Sequence, residues 1–381
     1  MKKVFEKIKL ILNQLLYTRN RGLQTKEKFV IIDKFFPLNN YPWRYLEIKA
    51  YLETFNKSLV LCEDANYKGK RTKQQFNNEL TEFLKTSKGI NPKRIQRVSS
   101  NPFKTNYQAK LFYFLFYEDA VRFYPYLKQN KINFGFTLYP GGGFIPYNNQ
   151  VDAQLNQIVG SNLCKFVIVD MPYTKKYLLD WLNLDTNKIK VLYGPPIEHS
   201  SPNDKMWFKK SIMSLKICFA AKKYMKRGCD KGFDVFIEIA KHFFSTDFNI
   251  QFHCFGDFKI NDLSENELKF TNIYFHGLLP PIEYHEQISK MDIIISPNRC
   301  YTNGGDIDGF PTASVIEAGL NQVLMMCSDP LNNNQGYFND GEEIIIISDN
   351  INDIIRKIEY LYFNENKIQE IASKGRDKIR T

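Results

Sequence analysis

Apolar runs of strand length alternate with amphipathic helical patterns along most of the chain. In the first half these runs are FVIID (29–33), SLVLCED (58–64), LFYFLF (111–116), INFGFTLY (132–139), KFVIVD (165–170) and IKVLYG (189–194). Because they are apolar on both faces, they predict buried parallel strands. The segments between them predict helices at 44–55, 74–86, 118–129, 151–159 and 174–183. This βαβ series predicts a doubly wound parallel sheet.

The same alternation begins again after YGPPIEHSSPNDK (193–205), a segment rich in proline and polar residues. The second set of strands is predicted at LKICFAA (215–221), IQFHCFGD (250–257), IYFHG (273–277), DIIISPN (292–298), VLMMCSD (323–329) and EIIIIS (343–348). Helices are predicted at 232–244, 281–290, 312–321, 351–363 and 367–379. We therefore expect an α/β protein with two Rossmann-like domains, 1–200 and 201–381, and a ligand site beyond the carboxyl ends of the strands, in the cleft between the domains.

Composition and charge narrow the class of protein. A chain of 381 residues with 43% hydrophobic and 24% charged residues is typical of a globular protein with two cores. The net charge of +11 predicts acidic partners, namely nucleic acid, anionic lipid or phosphorylated small molecules. The cysteines occur singly, with no C-x-x-C pair and no close Cys/His set, so we expect reduced and mostly buried thiols in a cytosolic protein. They stand at positions 62, 164, 218, 229, 254, 300 and 327.

The N-terminal residues bear on localisation. No run reaches the roughly 18 apolar residues of a membrane span, and the first nine residues carry four lysines and a glutamate where a signal peptide would be apolar. We therefore expect a protein that is not exported. Apolar residues recur at helical spacing from Val4 to Leu15. This pattern is typical of an interfacial amphipathic helix, which would make a peripheral membrane contact, and equally of a helix packed on its own domain.

The segment GGDIDGFPTASVIEAG (304–319) raises two alternatives for its acids. Asp306 and Asp308 have the D-x-D spacing that can hold a divalent ion through a nucleotide diphosphate. In the second interpretation, Asp308 is instead the first half of an acid pair that Glu317 completes.

Pro311 and Thr312 favour the second interpretation, since such residues commonly open a helix. That helix would direct its N-terminal amides at an anion, and a phosphate bound there needs no metal ion.

Three segments of the second half carry a family resemblance. FHGLLPPIEYHEQISKMDIIISPNRCYTNGGDIDGFPTASVIEAG (275–319) resembles the signature segment of family 4 glycosyltransferases of the GT-B fold, in which a strand end is followed by an acid, Gly-Phe-Gly or Gly-Phe-Pro, and Glu-Ala on a helix. DKGFDVFIEIA (230–240) is similar to that family's Lys-Gly element, and NDGEEIIII (339–347) extends the resemblance. The first half resembles the family only in outline. In such relatives the chain often continues past the position of KGRDKIRT (374–381) into a helix that crosses back to the first domain.

The resemblance implies transfer of a sugar from a nucleotide-sugar donor with retention of configuration. It implies that Glu317 binds the ribose, that Asp308 reaches the donor sugar, and that two basic residues neutralise the diphosphate. Lys231 matches one of them, and Lys222 or Lys223 matches the other; only one of these neighbours can face the site, because they lie on opposite sides of an extended segment.

We assign four further residues to the donor-binding site: Gly309, Phe310, Pro311 and Thr312. A leaving diphosphate gains negative charge, so lysines and a helix N-terminus stabilise the transition state, and we expect no obligatory metal cofactor. The expected acceptor is a cell-surface glycan or lipid-linked precursor at the cytosolic face, where the basic protein would dock on anionic lipid. The basic segment KKYMKRG (222–228) lacks an accompanying aromatic platform of the RNA-binding type, and we expect no nucleic-acid partner.

The sequence also departs from the family pattern. Eight residues rather than seven separate Asp308 from Glu317, the first acid is Asp rather than Glu, Gln322 replaces a usual glycine, and no histidine precedes His199. These departures keep two alternatives open: a nucleotide-sugar epimerase of related fold, and a catalytically degenerate module that binds a glycan or a membrane.

The segment FTLYPGGGF (136–144) stands where the family's histidine would be sought. Gly141, Gly142 and Gly143 follow a predicted strand and would let the backbone approach a phosphate or carbonyl oxygen, although a flexible turn is the competing interpretation. Tyr139 is an aromatic candidate for stacking on the acceptor sugar.

The histidines are interpreted as structural. We expect His253 and His276, in or at the end of strands, to be hydrogen-bonded core residues, and nothing marks His242 or His285 on their helices.

Overall fold

The computed structural model describes residues 27–38, 42–63, 65–66, 69–104, 107, 109–141, 143–192, 205–300 and 307–380. The chain divides into two compact units, Lys2–Glu198 and His199–Thr381. The predicted N-terminal amphipathic helix, Gly142 and Asp306 lie outside the described residues.

The first unit is built on a parallel sheet. Its strands are β1 (Glu27–Asp33), β2 (Ser58–Glu63), β5 (Ile95–Val98), β6 (Ala109–Phe114), β7 (Phe134–Leu138), β8 (Cys164–Val169) and β9 (Ile189–Val191), with the antiparallel hairpin β3 (Ala65–Asn66) and β4 (Gly69–Lys70) beside it. The strand order of the sheet is β5-β2-β1-β6-β7-β8-β9. Its helices are α1 (Pro42–Thr54), α2 (Lys73–Thr86), α3 (Tyr117–Asn130), α4 (Asn149–Val159) and α5 (Pro172–Lys176).

The second unit repeats this plan. Its strands are β10 (Leu215–Ala221), β11 (Ile250–Gly256), β12 (Ile273–Gly277), β13 (Ile293–Ser296), β14 (Leu324–Ser328) and β15 (Ile345–Ile347), in the order β12-β11-β10-β13-β14-β15. Its helices are α6 (Phe233–Phe244), α7 (Pro281–Ile288), α8 (Ala313–Leu320), α9 (Ile351–Phe363) and α10 (Glu365–Arg380).

Burial explains why these runs form parallel sheets. Every residue of β2 and of β7 is buried, as expected for strands covered on both faces. In the second unit, one core holds Phe236 of α6 and Ile354 of α9, while a separate core holds Ile288 of α7 and Val315 of α8. Helices thus cover both faces of the sheet, and the predicted α/β class with two Rossmann-like sheets is confirmed.

Two local predictions were incomplete. The edge strand β5 was missed because its sequence IQRV mixes polar and apolar residues. The helix predicted at 174–183 is α-helical only in α5 and continues as a π-helical turn over Tyr177–Trp181.

The cysteines are free, and most of them are buried, as predicted. None of the described helices combines the length and apolar composition that crossing a membrane requires.

Candidate active site

Gly232 determines where Lys231 lies. After β10 the chain makes a 3-10 turn, Lys226–Lys231, and Gly232 then opens α6 with a φ of 74°. A Cβ at this glycine would lie 2.1 Å from the carbonyl oxygen of Pro297, directly after β13. Only glycine combines this φ with such a close approach, so Lys231 is held against the carboxyl end of β13.

Lys231 and Asp308 form the central contact of the candidate site. The lysine Nζ lies 2.7 Å and 2.6 Å from the two carboxylate oxygens of Asp308. Only 5% of Lys231 is exposed, and Asp230 places a second carboxylate 3.5 Å from the same Nζ. A buried ammonium needs such partners, because desolvation of an unpaired charge is costly. The structure thus brings into contact two residues that the sequence assigned to one site.

Asn298 orients the Asp308 carboxylate and was not identified from the sequence. Its Nδ2 donates to Asp308 Oδ2 at 2.6 Å, while its Oδ1 accepts from Ser296 Oγ at 2.7 Å. Ser328 at the end of β14 donates to the Asn298 carbonyl at 2.7 Å. The signal was available, since Asn298 is a polar residue two positions after the buried strand β13.

The two adjacent lysines have different partners. Lys223 Nζ binds both oxygens of Asp262, at 2.7 Å and 2.8 Å. The Nζ atoms of Lys222 and Lys231 lie 5.5 Å and 5.0 Å from the centroid of the Tyr224 ring. The structure thus brings Lys222, rather than Lys223, to the aromatic side chain that also contacts Lys231.

The helix α8 lies at the carboxyl end of β10. Ser314 in its first turn donates to the carbonyl oxygen of Ala220 at 2.8 Å, and Thr312 is its N-cap residue in an extended conformation. Gly309 is half-buried, whereas Phe310 and Pro311 are buried, with the Phe310 ring in the core below α8. Phe310 therefore anchors this segment, and its side chain is not presented to a ligand.

Glu317 is a buried carboxyl group on α8. It is 8% exposed, and burial raises its pKa to about 8. No described residue donates a hydrogen bond to its carboxylate. Nearby, the buried hydroxyl of Tyr284 also lacks a partner among the described residues; burial and then the Glu317 charge raise its pKa. Unpaired buried polar groups are costly, so a ligand that supplies hydroxyl donors would remove this cost.

The alternative metal pair, Asp306 and Asp308, is only partly described. Asp306 lies outside the described residues, and the Asp308 carboxylate binds Lys231. Among the described parts of the chain, no group of three or more His, Cys, Asp or Glu residues is placed to hold a metal ion.

The glycine turn belongs to the first unit. Gly141 and Gly143 have φ angles of 80° and 83°, and a Cβ on Gly143 would lie 2.0 Å from Glu118 Oε1. Tyr117 donates from its hydroxyl to the Gly143 carbonyl at 2.9 Å. The prediction that Tyr139 stacks on a sugar is wrong: only 9% of Tyr139 is exposed, and its hydroxyl donates to Glu47 Oε2 at 3.1 Å.

The histidine pair fits the structural interpretation. His253 Nδ1 and His276 Nε2 are 2.9 Å apart, and the two rings stack with centroids 5.2 Å apart. Burial, then His276 and Lys216, lower the pKa of His253 to about 4, so the ring is neutral at pH 7. His253 Nε2 nevertheless has no hydrogen-bond partner among the described residues.

Comparison with known proteins adds a family model and a set of related folds. Residues 236–381 match a family model described as glycosyl transferase-like. No curated protein matches this sequence.

Several solved structures are similar over nearly the whole chain. HepE from Anabaena, in complex with UDP, has a TM-score of 0.66 and 12% identity, with 92% of this chain and 94% of HepE covered. A glycosyltransferase from Rickettsia africae has a TM-score of 0.61 and 14% identity over 93% of each chain. Sucrose-phosphate synthase from Thermosynechococcus elongatus has a TM-score of 0.60 and 11% identity, with 93% and 94% covered. The two Rossmann-like domains of this chain thus have the GT-B fold of these glycosyltransferases.

Proposed function

We propose that this protein is a glycosyltransferase that uses a nucleotide-sugar donor. The observation that carries the proposal is the Lys231–Asp308 pair at the carboxyl end of β13, in the same unit as Glu317, whose buried carboxyl group has no described donor. The glycosyl transferase-like match (236–381) includes Asp308 and Glu317 but begins after Lys231, and HepE was solved in complexes with UDP and with UDP-glucose.

Each site residue has a role in this proposal. Lys231 and Lys222 neutralise the diphosphate, and the N-terminal amides of α8 bind one of its phosphates. Glu317 accepts hydrogen bonds from the ribose hydroxyls once it is ionised. Asp308 holds the Lys231 ammonium and orients the donor sugar. Lys222 is preferred to Lys223 because its ammonium lies at the Tyr224 ring, which Lys231 also contacts.

The proposed reaction retains the anomeric configuration. The acceptor oxygen forms a bond to C1 on the face from which the nucleoside diphosphate departs. The C1–O bond to phosphate breaks with its electron pair on the phosphate, and the same phosphate takes the proton of the acceptor hydroxyl. Lys231, Lys222 and the α8 amides stabilise the charge that develops, so the proposal assigns no step to a metal ion.

For the acceptor, we propose a cell-surface glycan or a lipid-linked precursor, reached from the cytosolic face of the membrane. The net charge of +11 supports this, because such a protein is attracted to anionic lipid and would be concentrated beside a lipid-linked acceptor.

The test is a binding panel of UDP, GDP, ADP and UDP-glucose, followed by thermal shift with and without EDTA, on the wild type and Glu317→Gln. Binding of one nucleotide that survives EDTA and weakens in the variant supports the donor site. Binding that requires a divalent ion would instead support Asp306 and Asp308 as a metal pair.

Turnover separates the remaining alternatives. Incubation with the donor that binds should give sugar transfer, or slow hydrolysis to sugar and nucleoside diphosphate when acceptor is absent. Release of an epimerised sugar without any acceptor would identify an epimerase. Donor binding with neither hydrolysis nor transfer would identify a degenerate binding module.

A further inference from the structure

Two exposed aromatic rings lie side by side on the first unit. Tyr147 is 50% exposed and Trp181 is 58% exposed, and their ring centroids are 5.1 Å apart at an interplanar angle of 76°. We call this pair the aromatic corner. Monomeric proteins seldom leave large aromatic rings together in water unless the surface binds something.

The aromatic corner packs on buried aromatic rings. The Tyr147 ring packs on Tyr177 at 5.2 Å, and Tyr177 packs on Phe144 at 5.6 Å. Phe144 in turn packs on Tyr117 at 6.3 Å, and the Tyr117 hydroxyl binds the glycine turn. Phe144 and Tyr177 are almost fully buried. The corner is therefore continuous with the core of the unit and with the turn that follows β7.

Asp152 fixes the orientation of the corner. One carboxylate oxygen accepts from Trp181 Nε1 at 2.7 Å, and the other accepts from the Tyr177 hydroxyl. Tyr147 has a φ of 61°, a conformation that bulky residues rarely adopt. Unfavourable backbone conformations of this kind cluster at binding sites. A ring held by a hydrogen bond and by neighbouring rings loses little freedom on binding, which favours affinity.

The polar surroundings indicate the chemistry of the ligand. Asn148, Asn149 and Gln150 follow Tyr147 and are exposed. The Asn148 side-chain oxygen caps α4, so Asn149 and Gln150 supply the amide donors and acceptors that flank the apolar rings. This combination suits a sugar, whose ring offers C–H groups to an aromatic face and hydroxyl groups to amides.

The local charge argues against an anionic membrane as the ligand. The exposed residues Lys175, Lys176 and Asp180 lie in the segment that ends at Trp181, and Asp152 lies beneath its indole. The positive and negative charges of these four residues balance. Attraction to anionic lipid requires a surplus of basic residues, which these four residues do not provide.

We propose that the aromatic corner is a binding platform for the acceptor glycan, with a neutral oligosaccharide stacked on Trp181 and Tyr147. The identification of the ligand as an acceptor rests on the proposed glycosyltransferase function. Sugar binding by the corner rests only on the first unit.

The test compares the wild type with Trp181→Ala and Tyr147→Asn; asparagine tolerates the left-handed backbone conformation of position 147. Phe103→Ala is the matched control, because Phe103 is also an aromatic residue of the first unit and is 53% exposed. The probes are immobilised malto-, cello-, chito- and xylo-oligosaccharides, UDP-glucose, and phosphatidylcholine vesicles with and without phosphatidylglycerol.

The wild type and Phe103→Ala should bind at least one oligosaccharide equally, and each corner variant should bind it about tenfold more weakly. UDP-glucose binding should be the same in all four proteins. A wild type that binds UDP-glucose and none of the oligosaccharides overturns the platform, as does vesicle binding that is lost in Trp181→Ala. A wild type that binds an oligosaccharide but not UDP-glucose contradicts the proposed function. The proposal that the aromatic corner binds sugar would still hold.

Discussion

Each unit buries a glutamate, and the two glutamates differ in their hydrogen-bond partners. Glu47 on α1 is 1% exposed and accepts hydrogen bonds from three tyrosine hydroxyls: Tyr51 at 2.7 Å, Tyr139 at 3.1 Å and Tyr113 at 3.3 Å. Glu317 on α8 is 8% exposed, and no described residue donates to its carboxylate. Burial raises the pKa of both groups, that of Glu47 to about 7 and that of Glu317 to about 8.

The difference separates a structural group from a binding group. Because the tyrosines satisfy Glu47, it links α1, β6 and the end of β7 without any need for a ligand. Glu317 retains its hydrogen-bonding capacity, a few residues after the start of a helix and in the same unit as the Lys231–Asp308 pair. We therefore expect substitutions around Glu47 to change stability and substitutions around Glu317 to change binding.

Removal of the Lys231 charge should have the largest effect. In Lys231→Met the stem of the side chain remains, but the diphosphate loses its buried cation, so kcat/KM for sugar transfer should fall about 10³-fold. The measurement is initial rate against donor concentration, with thermal unfolding as the check on folding. Full activity in this variant would rule out the assignment of the donor site.

Glu47→Ala should have the largest effect on stability. It leaves buried tyrosine hydroxyls without their acceptor and opens a cavity, so the unfolding free energy of the first unit should fall by about 3 kcal/mol. Urea unfolding measures this loss, and Tyr51→Phe, which removes one hydrogen bond, should cost about 1 kcal/mol. Unchanged stability with lost donor binding would reverse the roles assigned to the two glutamates.

Glu317→Gln should weaken binding of UDP-glucose by about 2 kcal/mol, roughly thirtyfold, because an amide accepts hydroxyl hydrogen bonds less strongly than a carboxylate. The melting temperature should change little, since the glutamine is neutral like the protonated acid. Calorimetric titration of wild type, Glu317→Gln and Glu47→Gln distinguishes the two sites. Equal losses of UDP-glucose affinity in the two variants would show that Glu317 is no more involved in binding than Glu47.

The two raised pKa values predict different pH dependence of stability. A carboxyl group whose pKa is raised by folding contributes stability below its unfolded pKa of 4.5, and this contribution is lost as the pH rises through the folded value. The melting temperature of the wild type should therefore fall between pH 5 and pH 8.

Variants measure how much of that fall the two glutamates contribute, because burial also raises the pKa of Glu63 and of Asp170 to about 7. Glu47→Gln should reduce the fall mainly up to its folded pKa of about 7, and Glu317→Gln should reduce it up to about 8. Each ionising group contributes at most about 1.4 kcal/mol per pH unit. A slope that neither variant changes would show that the two carboxyl groups are not protonated in the folded protein.

The smallest effects should come from the adjacent lysines. Lys222→Met should weaken UDP-glucose binding about tenfold by removing one positive charge from the diphosphate. Lys223→Met breaks a partly buried ion pair with Asp262 away from the assigned lysines and should change either affinity or stability by less than about 1 kcal/mol. A larger loss of affinity in Lys223→Met than in Lys222→Met would assign the diphosphate role to Lys223.

The sequence predicted the sheets well because strands buried on both faces are continuous apolar runs, such as β2 and β7. The family motif assigned Lys231 and Asp308 to one site. Their direct contact could not be predicted, because the two residues are 77 positions apart in the sequence. Glu47 could not be recognised, since a glutamate on a helix usually faces water. Tyr139 was misread because its hydrogen-bond partner, Glu47, is 92 positions away in the sequence.

Gly232 has a further consequence for the sequences that this fold tolerates. Its backbone has a φ of 74°, and a Cβ there would collide with Pro297, whereas Gly277 and Gly341 have similar φ angles and a Cβ at either would meet no atom within 4 Å. In a library randomised at all three positions and selected for function, asparagine should survive at 277 and 341, because it tolerates the left-handed conformation. Only glycine should be selected at position 232. The backbone beside Lys231 is therefore fixed, and evolution at this place can change the side chain of residue 231 but not the backbone that positions it.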